Sequence, residues 1–375
     1  MKYSDPIFLF SSYRTASTWI WSKFRAAPTA LAYYEIFNGV FAYIDHKLIF
    51  SLNGANWTSK HPAAAPYFLE FLPLKREPSG IEHYDACMAY ESYIPQGGIR
   101  GDLLPAEVDY ISSLIGNAND LGRIPVLSCT RALARTHAIK KQFGGTMIFC
   151  HRNLFDQWAS YCGQAALGNP FFLETIDLTL KACGRDPFLS MVNALTSART
   201  ISPDDENLFK AFLLLHLYMS VHAFEAADIR LDMTALAADK TMQYDVGKQL
   251  SQLVGAPMDL SDAKSSFEVS SLQVRDMNQL TDEIRQFTKL IRAECCTEAG
   301  ADFLEKTSDE ALRSWHVHEF YTKRARSMAQ EEKAAQASRI RQMEAELDLL
   351  RRQVAAADAA KRAADEMCET EKPPM

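Results

Sequence analysis

Short apolar runs alternate along the chain with segments of helical periodicity. The run IFLFSS (7–12) shows no polar/apolar alternation, as expected of a strand covered on both faces. ALAYY (30–34), IPVLSC (124–129), TMIFC (146–150) and DIRLDM (228–233) read the same way. The segments between them are long enough for helical crossovers. This alternation predicts an α/β fold with a central parallel sheet flanked by helices. Ligands of such sheets gather outside the carboxyl ends of the strands, so the residues that directly follow each strand are the first candidates for function. The stretch 35–123 is less regular and rich in Pro, Gly and aromatic residues, which predicts helices and loops laid over the sheet. LFKAFLLLHLYMSVHAFEAA (208–227) is the most apolar helical segment. It carries Lys210, His216 and His222, and reads as a core helix rather than a membrane span.

From Ser308 the composition shifts to Ala, Glu, Lys and Arg. Ile340, Met343, Leu347, Leu350, Val354 and Ala357 then recur at spacings of three and four, the seam of a coiled coil. The expected organisation is an α/β domain over 1–305 and a long helix or coiled-coil tail over 306–370. The seam lasts roughly three heptads, which leaves both a homo-oligomeric coil and a helix docked on its own domain open.

The hydrophobic content of 47% over 375 residues supports a sizeable core. A net charge of −7 argues against a general nucleic-acid binder, so any anionic ligand must be held by a few placed cations. The start, MKYSDPIFLFSS, lacks the pattern of a signal peptide. The eight cysteines are scattered apart from Cys295–Cys296, with no CxxC and no Cys/His spacing of a zinc motif, so no metal is expected. Cys129 and Cys150, set among apolar residues, read as reduced core residues of a cytoplasmic protein.

The junction SSYRTASTW follows the first strand. A strand–loop–helix junction offers unpaired N–H groups and the positive end of a helix dipole, the geometry that binds phosphate or sulfate. Ser17 and Thr18 would add hydroxyls and Arg14 a permanent charge with a planar fork of donors. The GxxxxGK[ST] loop is not met. Taken alone, the motif leaves open an anion site and a helix merely capped by Ser17. TMIFCHRNLFDQWASY repeats the arrangement, with Arg152 at a strand end, Asn153 as candidate N-cap and Ser160 two turns into the helix. Two strand-end cations in one parallel sheet point to one ligand with two anionic groups.

Together these motifs resemble those of the sulfotransferases that use 3′-phosphoadenosine 5′-phosphosulfate (PAPS), nearest to the bacterial and carbohydrate types. YRTASTW is similar to their 5′-phosphosulfate loop, commonly PKSGTTW: Arg14 falls on the basic position, Thr15 on Ser, Ala16 on Gly, Ser17 and Thr18 on the hydroxyl pair, and Trp19 on the Trp. RNLFDQWAS resembles the 3′-phosphate motif RNPRDxxxS, with Arg152 and Ser160 at the matching positions. IRLDMTALAADKTMQYDVGKQLSQLVGAP resembles the family's strand followed by two helices. The resemblance spans roughly 6–257 and does not reach the tail. Ala16 and Leu154–Phe155 depart from the pattern, and DAKSSFEVS (262–270) is the candidate for the segment that closes over the nucleotide.

The resemblance implies a P-loop-like sulfotransferase fold, PAPS as co-substrate, no metal, and a hydroxyl-bearing acceptor, expected to be a carbohydrate. It implies that Arg14, Thr15, Ala16, Ser17, Thr18, Trp19, Arg152 and Ser160 hold the nucleotide. Arg14 would stabilise the transferring group and Glu35, after the second strand, would be the general base. The residue-level alternative for Glu35 is a structural pair with Arg14 or another cation. His61 and His151 are lesser base candidates, and Lys60 and Arg131 could steer an anionic acceptor. Two other classes stay open: a P-loop-type kinase or nucleotide hydrolase using Asp232 on magnesium, and a non-catalytic coiled-coil scaffold on a degenerate nucleotide fold.

Overall fold

The computed structural model describes residues 4–54, 66–264, 268–272 and 274–370, with the side chains of 363–370 excepted. Lys60 and His61 lie outside the described residues.

The chain begins with β1 (Ile7–Ser11), α1 (Ser17–Ala26) and β2 (Ala30–Tyr33), then α2 (His46–Ser51) and α3 (Pro105–Asp120). It continues through β3 (Ile124–Cys129), α4 (Thr136–Phe143), β4 (Thr146–His151) and α5 (Leu154–Ala166). Next come α6 (Phe171–Ala182), α7 (Pro187–Leu195), α8 (Glu206–Ala226), β5 (Ile229–Asp232), α9 (Met233–Ala238) and α10 (Lys240–Val254). Last are α11 (Met277–Arg292) and the long α12 (Glu298–Thr370).

All five strand runs read from the sequence are strands. They form one parallel sheet in the order β2–β3–β1–β4–β5. Every residue of β1 and β2 is buried, which is why these runs show no alternation. β5 lies at an edge, and Arg230 within it is exposed. The chain passes from β1 outward to β2, returns to β3 beside β1, and then crosses to β4 on the other flank. The strand order therefore reverses around β1, and a crevice opens where its neighbours' connections leave in opposite directions. Phe10 pairs with Cys129 on one side and Phe149 on the other, so β1, β3 and β4 end at one level. The residues that follow them share one edge.

α8 is the central helix, buried along almost its whole length, with Lys210, His216 and His222 among its buried residues. No helix among the described residues is long and apolar enough to cross a membrane. Region 35–123 holds α2, α3 and short 3₁₀ turns. Phe37, Phe41, Tyr67, Phe68, Phe71 and Tyr84 in it are buried. Those aromatic residues belong to the core. Cys129 and Cys150 are buried and unpaired.

The chain divides into two compact units, Met1–Ser314 and Trp315–Met375. Helix α12 begins before the composition shifts, because Ala301, Phe303, Leu304, Ala311 and Leu312 are buried in the first unit. In the second unit Ile340, Met343, Leu347, Leu350 and Val354 are each at least half exposed.

Candidate functional site

The loop after β1 is built around two left-handed residues. Arg14 has φ 63° and Ala16 φ 61°. Ala16 is the residue that precedes α1, with ψ 23°, and its side chain makes no cap. Glycine adopts this conformation without penalty, whereas a residue with a Cβ sits there at a cost of about 1–3 kcal/mol. Ser17 is the first helical residue and not the cap. The amides of Trp19 and Ile20 bond to the Ala16 carbonyl, while those of Ser17 and Thr18 have no helical carbonyl to reach. The Thr15 hydroxyl donates to Ser12 O at 2.8 Å and ties the loop to its strand. The Thr18 hydroxyl meets the Tyr34 hydroxyl at 2.7 Å. Trp19 lies along α1 with the Lys23 ammonium 5.4 Å from its ring centre.

Helix α5 is the other wall. Asn153 caps it, accepting from the amides of Phe155 and Asp156, as its sequence position predicts. Gln157 donates to Ser12 Oγ at 2.8 Å and to Tyr13 O at 2.6 Å. One turn on, the buried Ser160 hydroxyl accepts from Arg14 Nε at 2.9 Å. Arg152 Nη1 donates to the Arg14 carbonyl at 3.3 Å. The two motifs, far apart in sequence, thus meet: Arg152 and Ser160 both touch Arg14. The Arg14 guanidinium also lies over the Phe172 ring, 5.3 Å from its centre.

Burial pulls Arg14 and Arg152 below the ordinary arginine value, and the carboxylate of Glu268 opposes the shift on both. Glu268 belongs to the 262–270 segment, of which residues 265–267 lie outside the described residues. Its Oε1 stands 3.8 Å from Arg14 Nη2, and Oε2 is buried without a hydrogen bond. A Cβ on Gly163 of α5 would fall 2.2 Å from Oε2, so the glycine leaves the room that Glu268 fills.

On the opposite flank Glu35 sits directly after Tyr34, 5% exposed, with φ 51°. Its Oε2 accepts from Thr130 Oγ1 at 2.7 Å, Thr130 N at 3.3 Å and Arg131 Nη1 at 3.1 Å. Glu35 is therefore paired with Arg131 and not with Arg14. Burial raises the Glu35 carboxyl from its ordinary value; Arg131 and the Thr130 donors offset part of that shift. Arg131 is itself buried, with the rings of Tyr13 and Tyr90 centred 5.2 and 5.6 Å from its guanidinium. A cavity of ≈ 20 Å³ adjoins it, lined by Ser12, Tyr13, Thr130, Tyr161 and His216 among others. That is room for about one water molecule.

His151 and Asp232 end β4 and β5 at the same edge, but their side chains are engaged elsewhere. His151 packs between Phe149 and Phe303, ring centres 5.5 and 5.1 Å away, and burial lowers its pKa. Asp232 caps α9, accepting from the amides of Thr234 and Ala235. Thr130, Gln157, Tyr34 and Glu268 were not singled out by sequence. Thr130 directly follows β3 and Gln157 shares a helix face with Ser160, so strand-end and i, i+3 placement were the available signals. Comparison of the chain with family models, curated proteins and solved structures gives no match.

Proposed function

We propose that this crevice is the donor site of a PAPS-dependent sulfotransferase with a P-loop-like sulfotransferase fold, acting on a hydroxyl of a carbohydrate or related acceptor. The observation that carries the reading is the convergence of Arg14, Arg152 and Ser160 beside the unpaired amides that open α1. One half of that set suits a 5′-phosphosulfate and the other a 3′-phosphate. The left-handed Ala16 supports it as well, since backbone strain is retained where a loop shape matters.

In the proposed reaction the acceptor oxygen attacks sulfur in line with the bond from sulfur to the bridging phosphate oxygen. The new O–S bond forms as that bond breaks, and adenosine 3′,5′-bisphosphate leaves with the electron pair. Arg14 stabilises the negative charge that develops on the bridging and transferring oxygens; its high pKa makes this an electrostatic role. The acceptor proton passes to Glu35 through Oε1, since Oε2 is taken by Thr130 and Arg131. Glu268 holds Arg14 when the nucleotide is absent and gives way to it on binding.

Calorimetric titration with adenosine 3′,5′-bisphosphate, followed by transfer of labelled sulfate to an acceptor library, tests this reading. Binding without transfer to any acceptor would favour a non-catalytic scaffold, for which the observation is Glu268 occupying the cation. Protection from thermal unfolding by ATP with magnesium, and not by the bisphosphate, would favour a kinase or hydrolase. The exposed 340–354 stripe is proposed to pair with a second copy of the chain. Sedimentation of the full chain should then show a dimer, and a chain ending at Ser314 a monomer; equal masses would remove the coil.

A further inference from the structure

Outside the strand-end crevice, three metal-binding side chains meet between α4 and α8. His137 lies in the first turn of α4, and His222 and Glu225 lie one turn apart near the end of α8. A ring nitrogen of each histidine and a carboxylate oxygen of Glu225 all lie within 4.8 Å of one another. His222 is fully buried, and neither of its ring nitrogens has a hydrogen-bond partner. Nε2 of His137 has none either. A buried imidazole in a folded protein nearly always bonds through at least one nitrogen, so the unpartnered His222 ring points to a ligand. The neighbouring rings, Tyr218 at 4.9 Å and His137 at 6.1 Å between centres, meet His222 edge-on.

One oxygen of the Glu225 carboxylate is fixed by the start of α12. Oε1 accepts from Cys296 N at 2.7 Å, Thr297 N at 2.9 Å and Thr297 Oγ1 at 3.1 Å. Oε2 is buried and accepts no hydrogen bond. Gly300 lies so close that a Cβ there would fall 2.5 Å from Oε1, so the backbone of α12 itself fixes the carboxylate. Anchoring one oxygen and presenting the other is how outer donors orient a metal ligand. The Arg100 guanidinium lies beside it, with Nη2 3.6 Å from Oε2 and also donating to the Glu294 carbonyl. Its side chain is 42% exposed.

We propose that His137, His222 and Glu225 form a binding site for a divalent transition-metal ion of the zinc class. Two imidazoles and one carboxylate suit zinc with an open fourth position, whereas calcium and magnesium prefer all-oxygen sets. Tetrahedral ligands at zinc distances lie about 3.3 Å apart, so side-chain rotation is enough to close the set. The sequence carries no compact signal for the site, because its ligands come from two helices separated by one strand and three helices.

The test is zinc titration of the full chain against a chromophoric competitor, in a Cys295→Ser/Cys296→Ser background that removes the adjacent thiols. One ion per chain is expected, with affinity weakened at least about a hundredfold by His222→Asn. His137→Ala, on the half-exposed side, should weaken binding similarly and covers the case in which His222→Asn fails to fold. Arg100→Gln should tighten binding several-fold, an effect that a purely structural histidine pair would not produce. Absence of stoichiometric zinc uptake, or uptake unchanged by His137→Ala, overturns the proposal.

Discussion

The two flanks of the strand-end crevice use the same chemical groups to opposite ends. On one flank Arg131 and Glu35 are buried together, and the carboxylate oxygen is filled by Arg131 and both donors of Thr130. On the other, Arg14 touches a neutral hydroxyl at 2.9 Å and a carboxylate only at 3.8 Å, with Arg152 alongside. A cation paired at hydrogen-bond distance in a buried site has spent its charge on the fold. A cation held by a serine and a distant carboxylate keeps most of its charge for a ligand. Burial lowers the pKa of both Arg14 and Arg152, offset in part by Glu268 at Arg14 and by Asp156 and Glu268 at Arg152.

The sharpest way to break this comparison is at Glu35. Glu35→Gln should cut sulfate transfer by about 10²–10⁴ and should also destabilise the fold by about 3–5 kcal/mol, because Arg131 is left buried without its partner. Adding Arg131→Met should restore the urea midpoint while turnover stays low; recovery of both would make the pair purely structural. The pH profile separates the roles further. A base must be ionised, so turnover should rise with pH through a Glu35 pKa above the ordinary carboxylate range, and Glu35→Gln should abolish that limb.

On the open flank, Arg14→Ala should lower the single-turnover rate by about 10²–10³, the scale for one preorganised stabiliser. Arg14→Lys should retain part of the rate, since charge survives and the fork does not. A rate untouched by Arg14→Ala would place the chemistry elsewhere. Arg152→Ala should weaken adenosine 3′,5′-bisphosphate about ten- to hundredfold in calorimetry and spare an analogue without the 3′-phosphate. Equal losses for both analogues would move Arg152 out of the 3′ site. The smallest effect belongs to Glu268. In the proposed donor site its partly exposed pair with Arg14 would compete with the nucleotide, so Glu268→Gln should tighten the bisphosphate about two- to fivefold. Weakened binding would show instead that Glu268 supports the site.

What the sequence determined by itself was local. The apolar runs at 7–12, 30–34, 124–129 and 146–150 became strands because an unalternating run of that length suits a strand covered on both faces of a parallel sheet, whereas 228–233 alternates and became the edge strand β5. The placement of Arg14 after β1, and of Asn153, Arg152 and Ser160 around the start of α5, followed from the same short-range rules of strand ends and helix caps. Tertiary structure alone decided which side chains answer each other. The choice of Arg131 as the partner of Glu35, the seat of Glu268 beside Arg14, and the meeting of His137 with His222 and Glu225 all join residues whose separation along the chain carries no periodic signal. Such contacts are set by strand order and by which helix faces are buried against one another. They exist only once the sheet has brought distant strand ends to a common edge and the helices have packed around it.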